Sequence, residues 1–206
     1  MVTGVILAAG QSRRMGEAKQ LLPLGEKPMV WQVANTACQA NFSEVLVITG
    51  AYREQVEEVL QDLPLRVIYN EDWGKGQSTS VKKALQSIAI KPQAIVFLLA
   101  DQPLIDIKLI NRLIDTYYKS GASIIVPCFQ NRPGNPVLFD VTVWKSALLQ
   151  LAGDEGARQI IRKNQEKVHY IEIEEEEIFL DVDTEQEYRK MEEMWQVFRK
   201  NNRIIK

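Results

Sequence analysis

Histidine is nearly absent from this sequence, whose 206 residues include only His169. Zinc sites built from several histidines are therefore excluded, and a Ser-His-Asp triad would have a single candidate base. Cysteine is almost as scarce, with only Cys38 and Cys128. Two cysteines cannot form the disulfide framework of a small secreted domain, so we expect a protein of the reducing cytoplasm.

Long hydrophobic runs are missing as well. The longest strongly apolar run, 94–100, is far shorter than the roughly 20 residues of a membrane-spanning helix. The first residues also lack the positively charged start of a signal peptide. Neither sign of charge dominates, because 25 Lys and Arg stand against 27 Asp and Glu. These features predict no membrane partner and no nucleic-acid partner.

The remaining composition is that of a globular protein, with 46% hydrophobic and 25% charged residues. Apolar, β-branched segments predict strands at 2–8, 45–49, 65–69, 94–100 and 123–127. Between them we predict helices at 28–40, 53–61, 78–88 (capped by Ser78 or Thr79) and 107–119. Strands that alternate with helices indicate βαβ units. The fold class is therefore α/β, with a mostly parallel sheet and helices on both faces.

The alternation becomes irregular after residue 127. A turn at 131–134 between short strands, helices at 143–150 and 155–163, and strands at 169–173 and 178–180 are predicted there. Thr184 and Glu187 fit a capping box at the start of a last helix, which extends to about 199. No linker or repeat divides the chain, so we expect a single domain over 1–206.

The loop after the first predicted strand is small and basic. It begins with the small residues of 8–10 and continues with Arg13, Arg14 and, shortly after, Lys19. Backbone N–H groups in such a loop can cradle phosphate oxygens, and Arg and Lys add charge. The pattern is neither a dinucleotide-binding GxGxxG nor a P-loop. From these residues alone, a solvated basic loop is an equal alternative.

Aspartates follow two of the predicted strands. Asp101 comes directly after the most apolar strand, and Asp181 and Asp183 follow the segment at 178–180. Mg²⁺ is commonly held by one or two carboxylates together with substrate phosphates. The structural alternatives are a turn before Pro103 for Asp101 and a helix cap for Asp183.

Six short blocks of sequence occur in a characteristic order. They are LAAGQSRRMGEAKQLLPLGEKPM from Leu7; Asn70 with Trp73, Gly76 and 78–80; 99–103; 132–136; 153–158; and 181–184. Together they resemble the molybdenum cofactor cytidylyltransferases and the related accessory proteins of xanthine dehydrogenase. The blocks cover nearly the whole chain, and six blocks in order are far more specific than any one alone.

The resemblance implies a Rossmann-like fold of the nucleotide-diphospho-sugar transferase type, with a nucleotide-binding half at 1–127 and an acceptor-side half at 128–199. The implied nucleotide contacts are Leu7, Ala8, Ala9, Gly10, Ser12, Arg13, Lys19, Asn70, Gly76 and Ser78. The implied acceptor contacts are Trp73, Ser80, Asn135, Asp154 and Arg158. Arg13, Lys19 and Asp101 are the implied catalytic residues. Asp101 and Asp183 are the implied ligands of Mg²⁺, or alternatively Mn²⁺.

The implied reaction transfers CMP from CTP to molybdopterin and releases pyrophosphate. Guanylyl-transferring relatives usually have Gly-Gly where this chain has Ala9-Gly10, and Asp where it has Ala18. Both differences favour CTP over GTP. Asn135 departs from the family pattern, which usually has His there. The implied partners are small-molecule substrates and, transiently, a molybdenum hydroxylase. The protein itself is expected to be a monomer or a weak dimer.

Two other functions stay open. One is a related transferase that uses GTP, or a sugar or alcohol phosphate as acceptor. The other is a non-catalytic carrier that hands mature cofactor to an oxidoreductase. Single residues also have structural explanations, since Trp73 could anchor a loop and Arg158 could form a surface ion pair.

Overall fold

A computed structural model describes residues 1–11, 18–89, 91–154, 156–174 and 176–203. Its strands are β1 (Val2–Ala8), β2 (Pro23–Leu24), β3 (Lys27–Pro28), β4 (Glu44–Thr49), β5 (Arg66–Tyr69), β6 (Ala94–Leu99), β7 (Ile124–Phe129), β8 (Arg132–Pro133), β9 (Val137–Asp140) and β10 (Val168–Glu172). Its α-helices are α1 (Met29–Gln39), α2 (Arg53–Leu60), α3 (Gln77–Ser87), α4 (Ile107–Ser120), α5 (Val141–Leu149), α6 (Arg158–Lys163) and α7 (Glu185–Arg203). Within these residues, no helix is long and apolar enough to cross a membrane.

The central sheet is mostly parallel, as the sequence predicts. Its strand order is β10-β7-β9-β6-β1-β4-β5, with β8 paired to β7. Among the described strands of this sheet, only β8 and β9 run antiparallel to their neighbours. The chain moves from β1 outward to β4 and β5, then returns to the other side of β1 as β6. The strand order therefore reverses beside β1, where an α/β sheet opens a crevice at its carboxyl edge.

Helices cover both faces of the sheet, and the alternation of residues along each strand decides which face a side chain joins. Ile6 of β1 and Val47 of β4 pack with α1, α2 and α4. Their chain neighbours Val5 and Leu46 point the other way and pack with α3, α5 and α6. Because both faces are buried, the central strands are almost continuously apolar, which explains why they are recognisable from the sequence.

A third apolar cluster joins two segments that lie far apart in the sequence. Leu24 and Met29, at the β2–β3 ribbon, pack against Tyr188, Met191 and Trp195 of α7. The Tyr188 hydroxyl also donates a hydrogen bond to the carbonyl oxygen of Pro23. We call this contact between the ribbon and α7 the terminal clamp. It fixes the segments that precede the ribbon and α7, namely the residues around 19 and around 183.

Several predicted element ends need correction. The strand predicted at 178–180 is wrong, because Glu176–Phe179 forms a 3-10 helix. The carbonyl oxygen of Phe179 accepts a hydrogen bond from Gln102 instead of pairing in the sheet. The cap predicted for α3 is also wrong. The helix begins one residue earlier than Ser78, with Gly76 as N-cap and no side-chain cap.

The capping box at the start of α7 is confirmed, because the Glu187 N–H donates to Thr184 Oγ1 at 3.2 Å. The helix predicted from 155 begins at Arg158. The helix predicted from 143 begins at Val141, where the Asp140 carboxylate caps it.

Candidate functional site

A cleft lies at the carboxyl ends of β1 and β6, where the strand order reverses. Its volume is about 440 Å³, which is within the range of small-molecule sites. Ten of its lining residues are among the site residues predicted from the sequence: Leu7, Ala8, Ala9, Gly10, Lys19, Trp73, Gly76, Ser80, Asp101 and Asp154. Residues assigned to the nucleotide, the acceptor and the metal therefore line one cleft.

One end of the cleft is charged. Lys19 Nζ lies 2.6 Å from Asp101 Oδ2 and 2.7 Å from Asp183 Oδ1. We call these three residues the charged corner. Partial burial lowers the pKa of Lys19, but the two carboxylates outweigh this effect and raise its pKa overall. Lys19 therefore stays protonated, and it is held beside the reversal point of the sheet.

Asp181 adds a further carboxylate to this end of the cleft. Its carboxyl loses part of its hydration and is close to the negative charges of Asp101 and Asp183, and both effects raise its pKa. Among the described residues, the Lys19 ammonium group thus faces three carboxylates, those of Asp101, Asp181 and Asp183. The excess negative charge favours a cation, and hard oxygen donors suit Mg²⁺ or Mn²⁺.

The donor set fits a metal ion that is shared with a substrate. Asp101 and Asp183 contact the same ammonium nitrogen, so their oxygens converge on one point. In the part of the chain that the structure describes, no group of three or more acidic, His or Cys side chains is placed to hold a metal. Two carboxylates together with phosphate oxygens of a substrate are an arrangement common for Mg²⁺, and Asp101 and Asp183 could hold the ion in this way.

The sequence did not reveal two residues that shape the loop after β1. Gln20 is 3% exposed, and its Nε2 donates to the carbonyl oxygens of Ala8 and Gly10 at 3.4 and 3.2 Å. Gly50 follows β4. A Cβ there would lie 2.5 Å from the carbonyl oxygen of Ala9 and 2.7 Å from Trp73 Cβ. Gln20 fixes the loop backbone, and Gly50 lets Trp73 approach it. In the sequence, the sign of the close contact at Gly50 is a glycine directly after a predicted strand.

The opposite side of the cleft carries the Ser80 hydroxyl, beside Gly76 and Asp154. Asn70, which is 2% exposed, lies behind this wall. Its Nδ2 donates to Thr79 Oγ1 at 2.8 Å and to Ser80 Oγ at 3.0 Å. Its Oδ1 accepts the N–H of Asp72 at 3.1 Å. We call Asn70, Thr79 and Ser80 the hydroxyl corner. Asn70 is predicted as a nucleotide contact, but the structure places it behind Ser80.

Close backbone packing builds the start of α3. Gly76 has a φ of 108°, and a Cβ there would lie 2.6 Å from the carbonyl carbon of Gly153. The N–H of Ser78 donates to the carbonyl oxygen of Gly153 at 3.1 Å. Ser78 is therefore buried beneath the loop that precedes α6, while Asp154 of the same loop lines the cleft.

The other predicted site residues lie elsewhere. Asn135 and Arg158 line a smaller cavity of about 40 Å³, which shares Leu7, Gln77 and Leu99 with the cleft. Ser12 and Arg13 fall outside the described residues. His169 is exposed on the edge strand β10, and β7, β9 and β6 separate it from β1. It is too far from the cleft to act there as a base.

Comparison with known families agrees with this geometry. The profile of the family described as MobA-like NTP transferase domain matches residues 4–168. Three curated proteins match over most of their length. Nicotine blue oxidoreductase of Paenarthrobacter nicotinovorans is 31% identical, over 91% of this chain and 95% of its own. Purine catabolism protein PucB of Bacillus subtilis is 32% identical, over 90% and 93%. Molybdenum cofactor cytidylyltransferase of Escherichia coli is 31% identical, over 89% and 92%.

Solved structures share the fold. Rv0371c of Mycobacterium tuberculosis superposes with a TM-score of 0.83 at 29% identity, covering 93% of this chain and 97% of that one. A complex of Rv0371c with manganese superposes with a TM-score of 0.80, covering 93% and 98% at 29% identity. A nucleotidyl transferase of Methanothermobacter, at 18% identity, has a TM-score of 0.82 and covers 95% and 98%. The α/β fold of the nucleotide-diphospho-sugar transferases is thereby established for this sequence.

Proposed function

The chain belongs to the MobA-like NTP transferase family, and from this premise we propose that it transfers CMP from CTP to the terminal phosphate of molybdopterin. The observation that carries the proposal is the charged corner at the reversal point of the sheet. An ammonium group between two carboxylates suits a triphosphate and a divalent cation. The choice of CTP is supported by Ala9 and Ala18, and by the cytidylyltransferase among the relatives.

In the proposed reaction, an oxygen of the acceptor phosphate attacks the α-phosphorus of CTP. A new P–O bond forms, the bond to the β-phosphate oxygen breaks, and pyrophosphate leaves. The second pKa of a phosphomonoester is about 6, so the nucleophile is already ionised near neutral pH. A general base is therefore unnecessary, which agrees with the position of His169 far from the cleft.

The residues of the cleft would act mainly by position and charge. Lys19 supplies positive charge where negative charge accumulates on the leaving pyrophosphate. Gln20 holds the backbone of the loop after β1 in place, and this loop would bind the nucleotide. Asp101 and Asp183 would hold Mg²⁺, whose contribution is to neutralise phosphate charge. Arg13 remains part of the proposal through the resemblance alone.

The first test is thermal unfolding with CTP, GTP, ATP and UTP, each with and without Mg²⁺. A ligand at about 100 times its Kd adds roughly 2.7 kcal/mol to the free energy of unfolding, which gives a clear shift in Tm. We expect the shift to be largest for CTP with Mg²⁺. A shift selective for GTP would make the protein a guanylyltransferase. No shift with any nucleotide would favour the cofactor carrier.

The second test is turnover. Purified protein is incubated with CTP, Mg²⁺ and molybdopterin, and pyrophosphate release is measured with and without the acceptor. We expect release that depends on the acceptor, and a rise in the KM for CTP in Lys19→Ala. Lys75→Ala removes an exposed lysine of a surface pair with Asp72 and serves as the matched control. If Lys19→Ala has unchanged CTP kinetics, Lys19 does not bind the triphosphate.

A further inference from the structure

Ser80 presents a buried hydroxyl to the cleft. It lines the cleft together with Gly76 and Gln77, yet its residue surface is only 3% exposed. A hydroxyl group has one hydrogen to donate and two lone pairs to accept. Which of these faces a bound reactant depends on the partners that Ser80 has within the protein.

The direction of the hydrogen bond between Asn70 and Ser80 is fixed by a backbone group. The N–H of Asp72 can only donate, and its nitrogen lies 3.1 Å from Oδ1 of Asn70. The amide oxygen must therefore face Asp72, and the amide nitrogen must face the two hydroxyls. Nδ2 of Asn70 then donates to Ser80 Oγ at 3.0 Å. Since a lone pair of Ser80 receives this bond, its own hydrogen points elsewhere.

Thr79 and Ser80 differ in where their hydrogens go. Oγ1 of Thr79 also receives a bond from Asn70, but its hydroxyl donates to the carbonyl oxygens of Gly76 or Asp72, at 2.8 and 3.1 Å. For Ser80, no residue in the described part of the chain accepts the hydroxyl hydrogen in hydrogen-bonding geometry. A buried donor without an acceptor is costly, by about 1 to 3 kcal/mol in general. The open side of Ser80 is the cleft.

We propose that Asn70 is a positioning residue that holds the Ser80 hydroxyl as a hydrogen-bond donor toward the cleft, so that Ser80 binds an atom of the reactant that only accepts. Such atoms are phosphate oxygens, carbonyl oxygens and unprotonated ring nitrogens. The inference rests on the proposed function, since CTP and the pterin acceptor both carry atoms of this class. It assigns Asn70 a role behind the binding surface, in place of the direct nucleotide contact that the sequence predicts.

The decisive variant is Asn70→Asp. A carboxylate of nearly the same shape still accepts the N–H of Asp72, but toward Ser80 it accepts a hydrogen bond instead of donating one. The Ser80 hydrogen then turns toward the introduced carboxylate, and the Ser80 lone pairs face the reactant. Ser80→Ala removes the hydroxyl altogether, and Ser80→Thr keeps it. Thr79→Val is the matched control, because it removes the other hydroxyl that Asn70 contacts without touching the cleft.

The experiment measures kcat and KM for CTP and for molybdopterin separately, after thermal unfolding has shown that each variant is folded. We expect Asn70→Asp and Ser80→Ala each to raise the KM of one reactant by about tenfold, the loss of one hydrogen bond. We expect kcat to change by less than about twofold, because binding is lost equally in ground and transition states. The reactant whose KM moves is the one that Ser80 contacts. Ser80→Thr, which keeps the hydroxyl, should raise that KM less than Ser80→Ala does, and Thr79→Val should lower Tm without changing either KM.

The double variant separates the proposed role from the added negative charge. If Asn70 acts through Ser80, Asn70→Asp combined with Ser80→Ala should have the same KM as Ser80→Ala alone. Additive effects, or unchanged KM values in Asn70→Asp, would overturn the inference. If wild-type protein neither binds nor turns over CTP and molybdopterin, the proposed function fails and the inference fails with it. If wild-type protein is active and the variants match it, the inference alone fails.

Discussion

The two sides of the cleft are built in opposite ways. The charged corner joins Lys19, Asp101 and Asp183, and the hydrogen bond from Lys19 to Asp183 connects residues 164 positions apart. The hydroxyl corner joins Asn70, Thr79 and Ser80, and the hydrogen bonds of Asn70 there span nine and 10 positions. Long-range ion pairs depend on the whole fold, whereas the local network depends on one loop and one helix start. One side of the cleft is therefore built from ion pairs, and the other side from hydrogen bonds whose direction is fixed.

Asp101→Asn should have the largest effect, because it removes a carboxylate from the charged corner. We expect transfer to fall by at least about a thousandfold, the scale for losing a main electrostatic group. Tm should stay close to that of the wild type. Asp106→Asn is the control, since Asp106 caps α4 outside the cleft and Asn caps equally well. Near-normal pyrophosphate release in Asp101→Asn would show that the charged corner is not the reacting end.

Gly76→Ala should damage the other side of the cleft through the backbone. Alanine strongly disfavours a φ of 108°, and its Cβ would collide with Gly153. We expect urea denaturation to show a loss of about 3 kcal/mol in unfolding free energy. In Gly74→Ala the new Cβ meets no atom within 4 Å, so stability should change by less than about 0.5 kcal/mol. Equal stability of the two variants would mean that the α3 start is not built on close packing.

Of the three substitutions, Lys19→Met should have the smallest effect in free energy, a loss of stability that added Mg²⁺ should partly reverse. Without the ammonium group, the carboxylates of Asp101 and Asp183 repel each other, and we expect a loss of about 1 to 2 kcal/mol in unfolding free energy. Added Mg²⁺ should recover part of this loss by binding the folded state. Lys75→Met, in an exposed pair with Asp72, should leave stability unchanged within the error of urea denaturation and show no Mg²⁺ effect. If Lys19→Met and Lys75→Met lose the same stability and respond equally to Mg²⁺, the charged corner does not differ from an exposed surface pair.

The pH dependence of the Lys19 contribution follows from the direction of its pKa shift. The folded state holds the pKa of Lys19 above its ordinary value of 10.5. The ion pairs therefore contribute fully at neutral pH, and their contribution is lost only as the pH rises past 10.5 and through the folded pKa. The stability difference between wild type and Lys19→Met, measured by urea denaturation, should be constant from about pH 6 to about pH 9.

The sequence predicts the charged side chains better than their contacts. Asp101 follows an apolar strand, and Lys19 follows a glycine-containing loop, so both are recognisable as candidates. The pairing of Lys19 with Asp183 is not recognisable, because it depends on the terminal clamp between Leu24 and α7. The strand predicted at 178–180 was wrong for a related reason. The ring of Phe179 packs beside Gly134 instead of facing a sheet edge.

The hydroxyl corner shows a different limit. The resemblance implies that Asn70 contacts the nucleotide and Ser80 the acceptor, and so does not place Asn70 behind Ser80. Only the position of the Asp72 N–H fixes the Asn70 amide and, through it, the Ser80 hydroxyl. Gln20 was missed because a buried glutamine looks like any polar loop residue until its carbonyl partners, Ala8 and Gly10, are known.

The terminal clamp also sets the order in which the site is completed during synthesis. A growing chain that ends before residue 181 already contains the strands from β1 to β10. It also contains Lys19 and Asp101, but not Asp183, which arrives immediately before α7. Helix α7 must then dock on a ribbon that was synthesised much earlier. The cleft should therefore gain its full binding capacity only after α7 has left the ribosome.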